Sequence, residues 1–322
     1  MEMVLSFVLL VIGLVLLVKG ADFFVEGSST IAKFLKIPSI IIGLTIVAFG
    51  TSAPEASVSI IASLNGSNDI AIGNVIGSNM FNLLCVVGIS AIIMPVSIKN
   101  QIIFKEYPFM LMSTLVLALM SYDVFFGNGT ENMLSRSDGL ILLVILGIFL
   151  YSIITSALKS RKETVENTEE EKPKHSMPIS ILFTIGGLAA IILGGDFVVD
   201  SAEKIALAFG MSKTLVGLTI VAVGTSLPEL VTSIVAAKKG ESDIAIGNVV
   251  GSNIFNILFI LATSAVITPM GINSLCLIDL IILIVISLFA YGFCISKKSV
   301  SRIEGIILTA AYIAYLAYAI IR

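Results

Sequence analysis

Long apolar runs alternate with short polar breaks along this chain, and the breaks divide it into ten stretches able to cross a bilayer. A helix of about 20 apolar residues spans a hydrocarbon core of roughly 30 Å. On that measure spans are predicted at about 3–19, 38–64, 69–95, 101–121, 138–158, 178–195, 214–237, 243–269, 275–296 and 302–321. The first and sixth are expected to run on past Gly20 and Gly194 as amphipathic helix. The period-two alternation of a membrane β-barrel is absent, so the expected class is an all-α polytopic membrane protein. The N-terminal MEMVLSF has no basic region and no small-residue cleavage site, and reads as the start of the first span.

A 42-residue segment occurs twice. Gly43 to Leu84 and Gly217 to Leu258 align without a gap at an offset of 174, and 28 of the 42 positions are identical. At the same offset Asp22-Phe23 matches Asp196-Phe197, and Glu26 matches Asp200, so the first helices of the two halves are related as well. The expected organisation is a five-helix repeat over 1–158, a cytoplasmic linker over 159–177 and a second five-helix repeat over 178–322. The linker sequence KSRKETVENTEEEKPKHS mixes charges, is poor in apolar residues and is expected to be flexible. Its His175 is expected to be a solvated loop residue.

Five is odd, so two homologous halves of five spans must enter the membrane in opposite orientations. The expected fold is therefore ten transmembrane helices as two inverted five-helix repeats. With the N-terminus outside, at least fourteen Lys and Arg fall on the inner side. Only Arg136, Lys204, Lys213 and Arg322 fall on the outer side. That bias predicts a multi-pass protein of the plasma (inner) membrane with both termini outside.

Composition narrows the class further. Apolar residues make up 57% of the chain and charged residues 13%, too few charges to solvate a soluble surface of this size. The net charge of −3 carries no nucleic-acid signature. Cys85, Cys276 and Cys294 lie in apolar stretches without CxxC spacing and read as small buried hydrophobes.

The candidate chemistry sits in the repeated segment. In Gly50-Thr51-Ser52-Ala53-Pro54-Glu55 the proline lacks an N–H and its ring clashes with the carbonyl of Gly50. A helix there must kink and release carbonyls, which in lipid need a cation or water as partner. Thr51 and Ser52 precede Glu55 by four and three residues, so one turn gathers a carboxylate, two hydroxyls and free carbonyls. Hard cations require such all-oxygen sets. Gly224-Thr225-Ser226-Leu227-Pro228-Glu229 repeats the pattern. The following spans add Gly77-Ser78-Asn79 with Asn82, and Gly251-Ser252-Asn253 with Asn256; Ser78 and Asn82, like Ser252 and Asn256, are four apart on one helical face. A buried carboxylate in a span marks an ion or substrate path. Two negative charges match one Ca²⁺, two protons, or several Na⁺ with charge left over. Gly73-xxx-Gly77 and Gly247-xxx-Gly251 are also helix-packing patterns. Asp69 and Asp243 follow polar turns at span starts and are expected as N-caps. Asp22 and Asp196 lie near span ends and are expected to face water.

The GTS-x-PE strings and the GN-V-x-GSN-x-x-N strings, present in both halves in order, resemble the α-repeats of the cation/calcium antiporter superfamily. The similarity is strongest to the prokaryotic sodium/calcium exchanger branch and covers nearly the whole chain. It implies secondary-active exchange of Ca²⁺ for Na⁺ by alternating access, without a cofactor. Glu55 and Glu229 would be carboxylates shared by the two ions, and Thr51 and Thr225 would supply Ca²⁺-site oxygens. Ser52, Ser78, Ser226 and Ser252 would complete Na⁺ sites with the carbonyls of Ala48 and Ala222, and Asn82 and Asn256 would line the centre. Some relatives, archaeal and potassium-dependent members among them, carry aspartate where this chain has Asn256. The core then keeps two acids rather than three, which argues against potassium dependence. The expected partners are Ca²⁺, Na⁺ or H⁺ and the lipid bilayer, with the monomer as the working unit.

Three other functions compete. An H⁺/Ca²⁺ exchanger would use the same two glutamates as proton carriers. A membrane-embedded enzyme would need an HExxH, a GxGD aspartate or a Ser/His pair; none is present, nor is a Walker motif, so no enzyme is expected. A passive channel would dissipate gradients without a counter-ion.

Overall fold

The computed structural model describes residues 2–127, 130–167, 174–210 and 222–321. Apolar runs without backbone partners from water must satisfy their amides internally, and the chain does so almost entirely by helices. In order these are α1 (Glu2–Leu35), α2 (Ser39–Thr51), α3 (Ala53–Leu64), α4 (Asn68–Ile93), α5 (Ile102–Ser121) and α6 (Arg136–Asn167). The second half follows as α7 (Met177–Ala208), α8 (Ala222–Gly224), α9 (Leu227–Lys238), α10 (Ser242–Ile267), α11 (Ser274–Lys297) and α12 (Arg302–Ile321). Eight of these are single helices long and apolar enough to cross a membrane, and α2 with α3 forms a bent ninth candidate. The span expected over 214–237 is described only from Ala222 onward; its first part lies outside the described residues.

α1 and α7 do run on as expected, each through more than thirty residues. They cross antiparallel and at very short range. A Cβ placed on Gly20 would lie 2.9 Å from the carbonyl oxygen of Gly187, and one on Gly187 would lie 2.6 Å from the amide nitrogen of Phe24. Gly13 meets Gly194 and Gly27 meets Ser180 in the same register, so only glycine lets the two backbones touch. Outward from this contact Val4, Val8, Val11, Val15 and Val18 of α1 are exposed, as are Ile303 and Ile306 of α12. Such a rim belongs in hydrocarbon, not in water.

The interior is formed by α4 and α10, the two most deeply enclosed helices. Gly247 and Gly251 of α10 press against Ile40, Gly43, Leu44 and Ala48 of α2, so this glycine pair does serve packing. Two short antiparallel ribbons join the halves. β1 (Val96–Ser97) pairs with β4 (Ser299–Val300), and β2 (Met133–Leu134) pairs with β3 (Met270–Gly271). Since α11 runs from β3 to β4, the ribbons cap opposite ends of the bundle. The three cysteines are buried, as their surroundings implied.

Three expectations are corrected. α6 continues to Asn167, into the stretch expected as flexible linker; its Lys, Arg and Glu residues are good helix formers and prolong the preceding span. His175 is not a solvated loop residue: its Nε2 lies 2.9 Å from Glu26 Oε1 and its ring meets Phe183 edge to face. Asp69 and Asp243 do not cap their helices, whose N-cap positions are Ser67 and Glu241. Both reach instead to the opposite half, where Asp69 accepts from Asn273 Nδ2 at 2.8 Å and Asp243 pairs with Lys99.

Candidate functional site

The proline of each repeat makes the break expected of it. α2 ends at Thr51, Ser52 leaves helical geometry with ψ near 7°, and α3 starts at Ala53 with Pro54 in its first turn. The two pieces are bent by 48°. Ser226 has ψ of 8° at the matching position, between α8 and α9. Each break puts a glutamate in the first turn of the following helix, Glu55 in α3 and Glu229 in α9.

Both carboxylates are wholly buried, with 1% and 0% of their surface exposed. Their hydrogen bonds cross between the halves. Ser226 Oγ donates to Glu55 Oε1 at 2.8 Å, and Ser52 Oγ donates to Glu229 Oε1 at 3.1 Å. Within each half Ser78 Oγ donates to Glu55 Oε1 at 3.3 Å and Ser252 Oγ lies 3.5 Å from Glu229 Oε1. The Ser78 and Ser226 hydroxyls are 2.8 Å apart, and Ser252 Oγ is 3.3 Å from the carbonyl of Ala48. Eight of the twelve candidate residues thus make up the oxygen cluster as two hydrogen-bonded groups, Glu55 with Ser226 and Ser78, and Glu229 with Ser52, Ser252, Ala48 and Thr51. Ala222 opens α8; its side chain lies outside the described residues.

Asn82 and Asn256 sit beside this cluster, where α4 and α10 each widen into a π-helical turn. They join Asn79 and Asn253, which the Gly-Ser-Asn strings carry but for which the sequence implies no separate role. Asn82 Nδ2 donates to Asn253 Oδ1 at 3.1 Å, and Asn256 Nδ2 donates to Asn79 Oδ1 at 2.9 Å. Asn79 and Asn253 each donate to the other's backbone carbonyl at 3.3 Å. Thr225 and Thr51 are held by a missed pair, Asn74 and Asn248. All four lie inside the repeated GN-V-x-GSN string, so the duplication itself was the signal.

Four buried oxygens at the centre have no hydrogen-bond partner among the described residues: Glu55 Oε2, Glu229 Oε2, Asn82 Oδ1 and Asn256 Oδ1. Among the described residues no donor reaches these four oxygens, which present lone pairs. Two ionised carboxylates in a membrane interior carry a desolvation cost of several kcal/mol each unless positive charge compensates them. The arrangement suits cation binding, by oxygens drawn from both halves. At the bundle end where Asp69 meets Asn273 a cavity of about 760 Å³ opens, lined also by Glu131 and Asn132.

A helical membrane bundle with a buried oxygen cluster at its centre defines a transport protein rather than an enzyme. Residues 5–155 and 179–321 match the family described as sodium/calcium exchanger protein, and the chain belongs to that family. It is 36% identical over 324 residues to the inner membrane protein YrbG of Escherichia coli, covering 98% of this chain and 97% of that one. It is 33% identical over 340 residues to the sodium/calcium exchanger MaX1 of Methanosarcina acetivorans, covering 97% of each. Among solved structures, the sodium-calcium exchanger NCX_Mj soaked with 10 mM Na⁺ and 10 mM Sr²⁺ superposes with a TM-score of 0.84 at 34% identity, over 98% of each chain.

Proposed function

We propose that this protein is a secondary-active antiporter that exchanges Ca²⁺ for Na⁺ by alternating access. The observation that carries the reading is the pair of buried glutamates, each receiving a serine hydroxyl from the opposite half and each keeping one oxygen without a partner among the described residues. Glu55 and Glu229 bind both ions in turn. Thr51 and Thr225 add oxygens for Ca²⁺. Ser52, Ser78, Ser226 and Ser252, with the carbonyls of Ala48 and Ala222, complete the Na⁺ positions, and Asn82 and Asn256 line the centre. Two carboxylates balance one Ca²⁺, whereas Na⁺ spreads over the neutral hydroxyls as well, so the ions compete for overlapping ligands. α1 and α7, whose backbones touch at glycines, form the element that moves against the core. The two halves are inverted five-helix repeats of a ten-helix bundle, both termini face outward, and one chain supplies the whole site.

Radiolabelled Ca²⁺ uptake into proteoliposomes tests this. Uptake under an outward Na⁺ gradient at clamped pH supports it. Uptake driven only by a pH gradient, without Na⁺, replaces Na⁺ by H⁺ at the same glutamates. Ca²⁺ leak without any counter-ion makes the protein a channel.

A further inference from the structure

A buried primary amide is costly unless its oxygen and its two N–H groups find partners. Asn248 of α10 is fully buried and meets that demand in an uncommon way. Its Nδ2 donates to the backbone carbonyl of Glu229 at 3.3 Å and to Ser233 Oγ at 3.0 Å, both in the first turns of α9. Its Oδ1 accepts from Thr51 Oγ1 of the other half at 2.9 Å. One repeat earlier Asn74 does the same, with the Glu55 carbonyl at 3.5 Å, Ser59 Oγ at 3.0 Å and Thr225 Oγ1 at 3.4 Å. Each asparagine therefore holds its own half's glutamate turn and the opposite half's threonine.

The threonine contact has a chemical consequence. A helical threonine ordinarily returns its single proton to a carbonyl three or four residues back. For Thr51 those are Ala48 and Val47, at 3.3 and 3.1 Å. Asn248 Oδ1 is nearer than either and draws the proton away from them. The hydroxyl then turns its lone pairs, and the Ala48 carbonyl its own, toward whatever cation lies beside Ser252 and Glu229. We infer that Asn248, and Asn74 by the same pattern, are positioning residues of the ion site: each takes the proton of the opposite half's threonine so that its oxygen is presented to a cation. The inference rests on the cation-exchange reading above. Because each asparagine also holds a glutamate turn, a cation that pulls on Thr51 pulls on the α9 turn that carries Glu229. Filling one half of the site is thereby felt in the other.

The test is a double-mutant cycle on the full chain in proteoliposomes, with initial Ca²⁺ uptake measured against Ca²⁺ concentration. Asn248→Leu and Thr51→Val should each raise the half-saturating Ca²⁺ concentration by about tenfold, the scale of one lost buried hydrogen bond, with the maximal rate within about threefold. The double variant should be no worse than the weaker single one, because Asn248 acts through Thr51. Multiplying effects in the double variant would overturn the inference. So would a fall in maximal rate with the half-saturation unchanged, which is what a merely structural asparagine produces. If Asn248→Leu does not fold, Asn74→Leu with Thr225→Val runs the same cycle at a half-buried position. Wild-type vesicles that take up no Ca²⁺ under either gradient would remove the exchanger reading first, and this inference with it, before any variant is made.

Discussion

Ser226 donates its hydroxyl to the carboxylate of Glu55 at 2.8 Å across 171 positions of sequence, and Ser52 does the same for Glu229 across 177. Neither glutamate is served by the serine of its own GTS-x-PE string. The hydrogen bonding of each glutamate is completed by the opposite half, so this arrangement exists only when the halves are opposed.

Removing one negative charge from this site should stop exchange. Glu55→Gln and Glu229→Gln keep the shape of the side chain and leave a single carboxylate where a divalent cation needs two. Na⁺-driven Ca²⁺ uptake should fall by about a hundredfold or more, on the scale of breaking a buried charge pairing. Full exchange in either variant would show that the assignment of the glutamates is wrong.

The serines should matter to the monovalent ion more than to the divalent one. Ser52→Ala and Ser226→Ala each remove a neutral oxygen and free one carboxylate lone pair. The Na⁺ concentration giving half-maximal exchange should rise about threefold to tenfold, a loss of one hydroxyl ligand at roughly 1 kcal/mol. The Na⁺ dependence of Ca²⁺ flux measures this. An unchanged Na⁺ curve with a shifted Ca²⁺ curve would reverse the roles.

The close contact of α1 with α7 makes a prediction about packing. A leucine at Gly187 has nowhere to go, since a Cβ there already falls 2.6 Å from the Phe24 amide nitrogen. Overpacking of this kind costs about 1–3 kcal/mol. The neighbouring Gly186 is exposed and a Cβ there meets no neighbour. In detergent Gly187→Leu should lower the thermal midpoint and slow exchange, while Gly186→Leu should do neither. Equal effects at both would mean that the glycine contact is not where these helices hold each other.

Orientation can be read with thiol reagents, because the native cysteines are buried. Phe125→Cys occupies a side chain that is 81% exposed, near the end carrying Arg136. Lys297→Cys lies at the far end of α11. In intact cells a membrane-impermeant maleimide should label the first at once and the second only after permeabilisation. The opposite pattern would invert the expected topology.

Much of this was legible in the chain because it is local or covalent. Apolar run length locates a span by what a bilayer requires of it, and a duplicated segment is visible without coordinates. Pro54 and Pro228 announced their breaks because the missing N–H acts within one turn. Glu55 and Glu229 stood out because a carboxylate has no business in an apolar span except in a site. The seven-residue spacing of Gly13, Gly20 and Gly27, matched by Gly187 and Gly194, is equally local and carries the α1–α7 contact.

Other features could not be found in this way. His175 in a charged linker looked solvated, and only the fold brings it to Glu26. Asp69 looked like a cap until Asn273 was found opposite it. Asn74 and Asn248 have no local property that sets them apart from Asn79 or Asn253. Spacing places side chains on a common face of one helix, and so the sequence by itself determined which residues are available to the site. Which of them meet is set by how two halves, joined by a single stretch of chain, lie against each other. That depends on packing over the whole bundle, and only the tertiary structure decided that Ser226 belongs to Glu55 and Thr51 to Asn248.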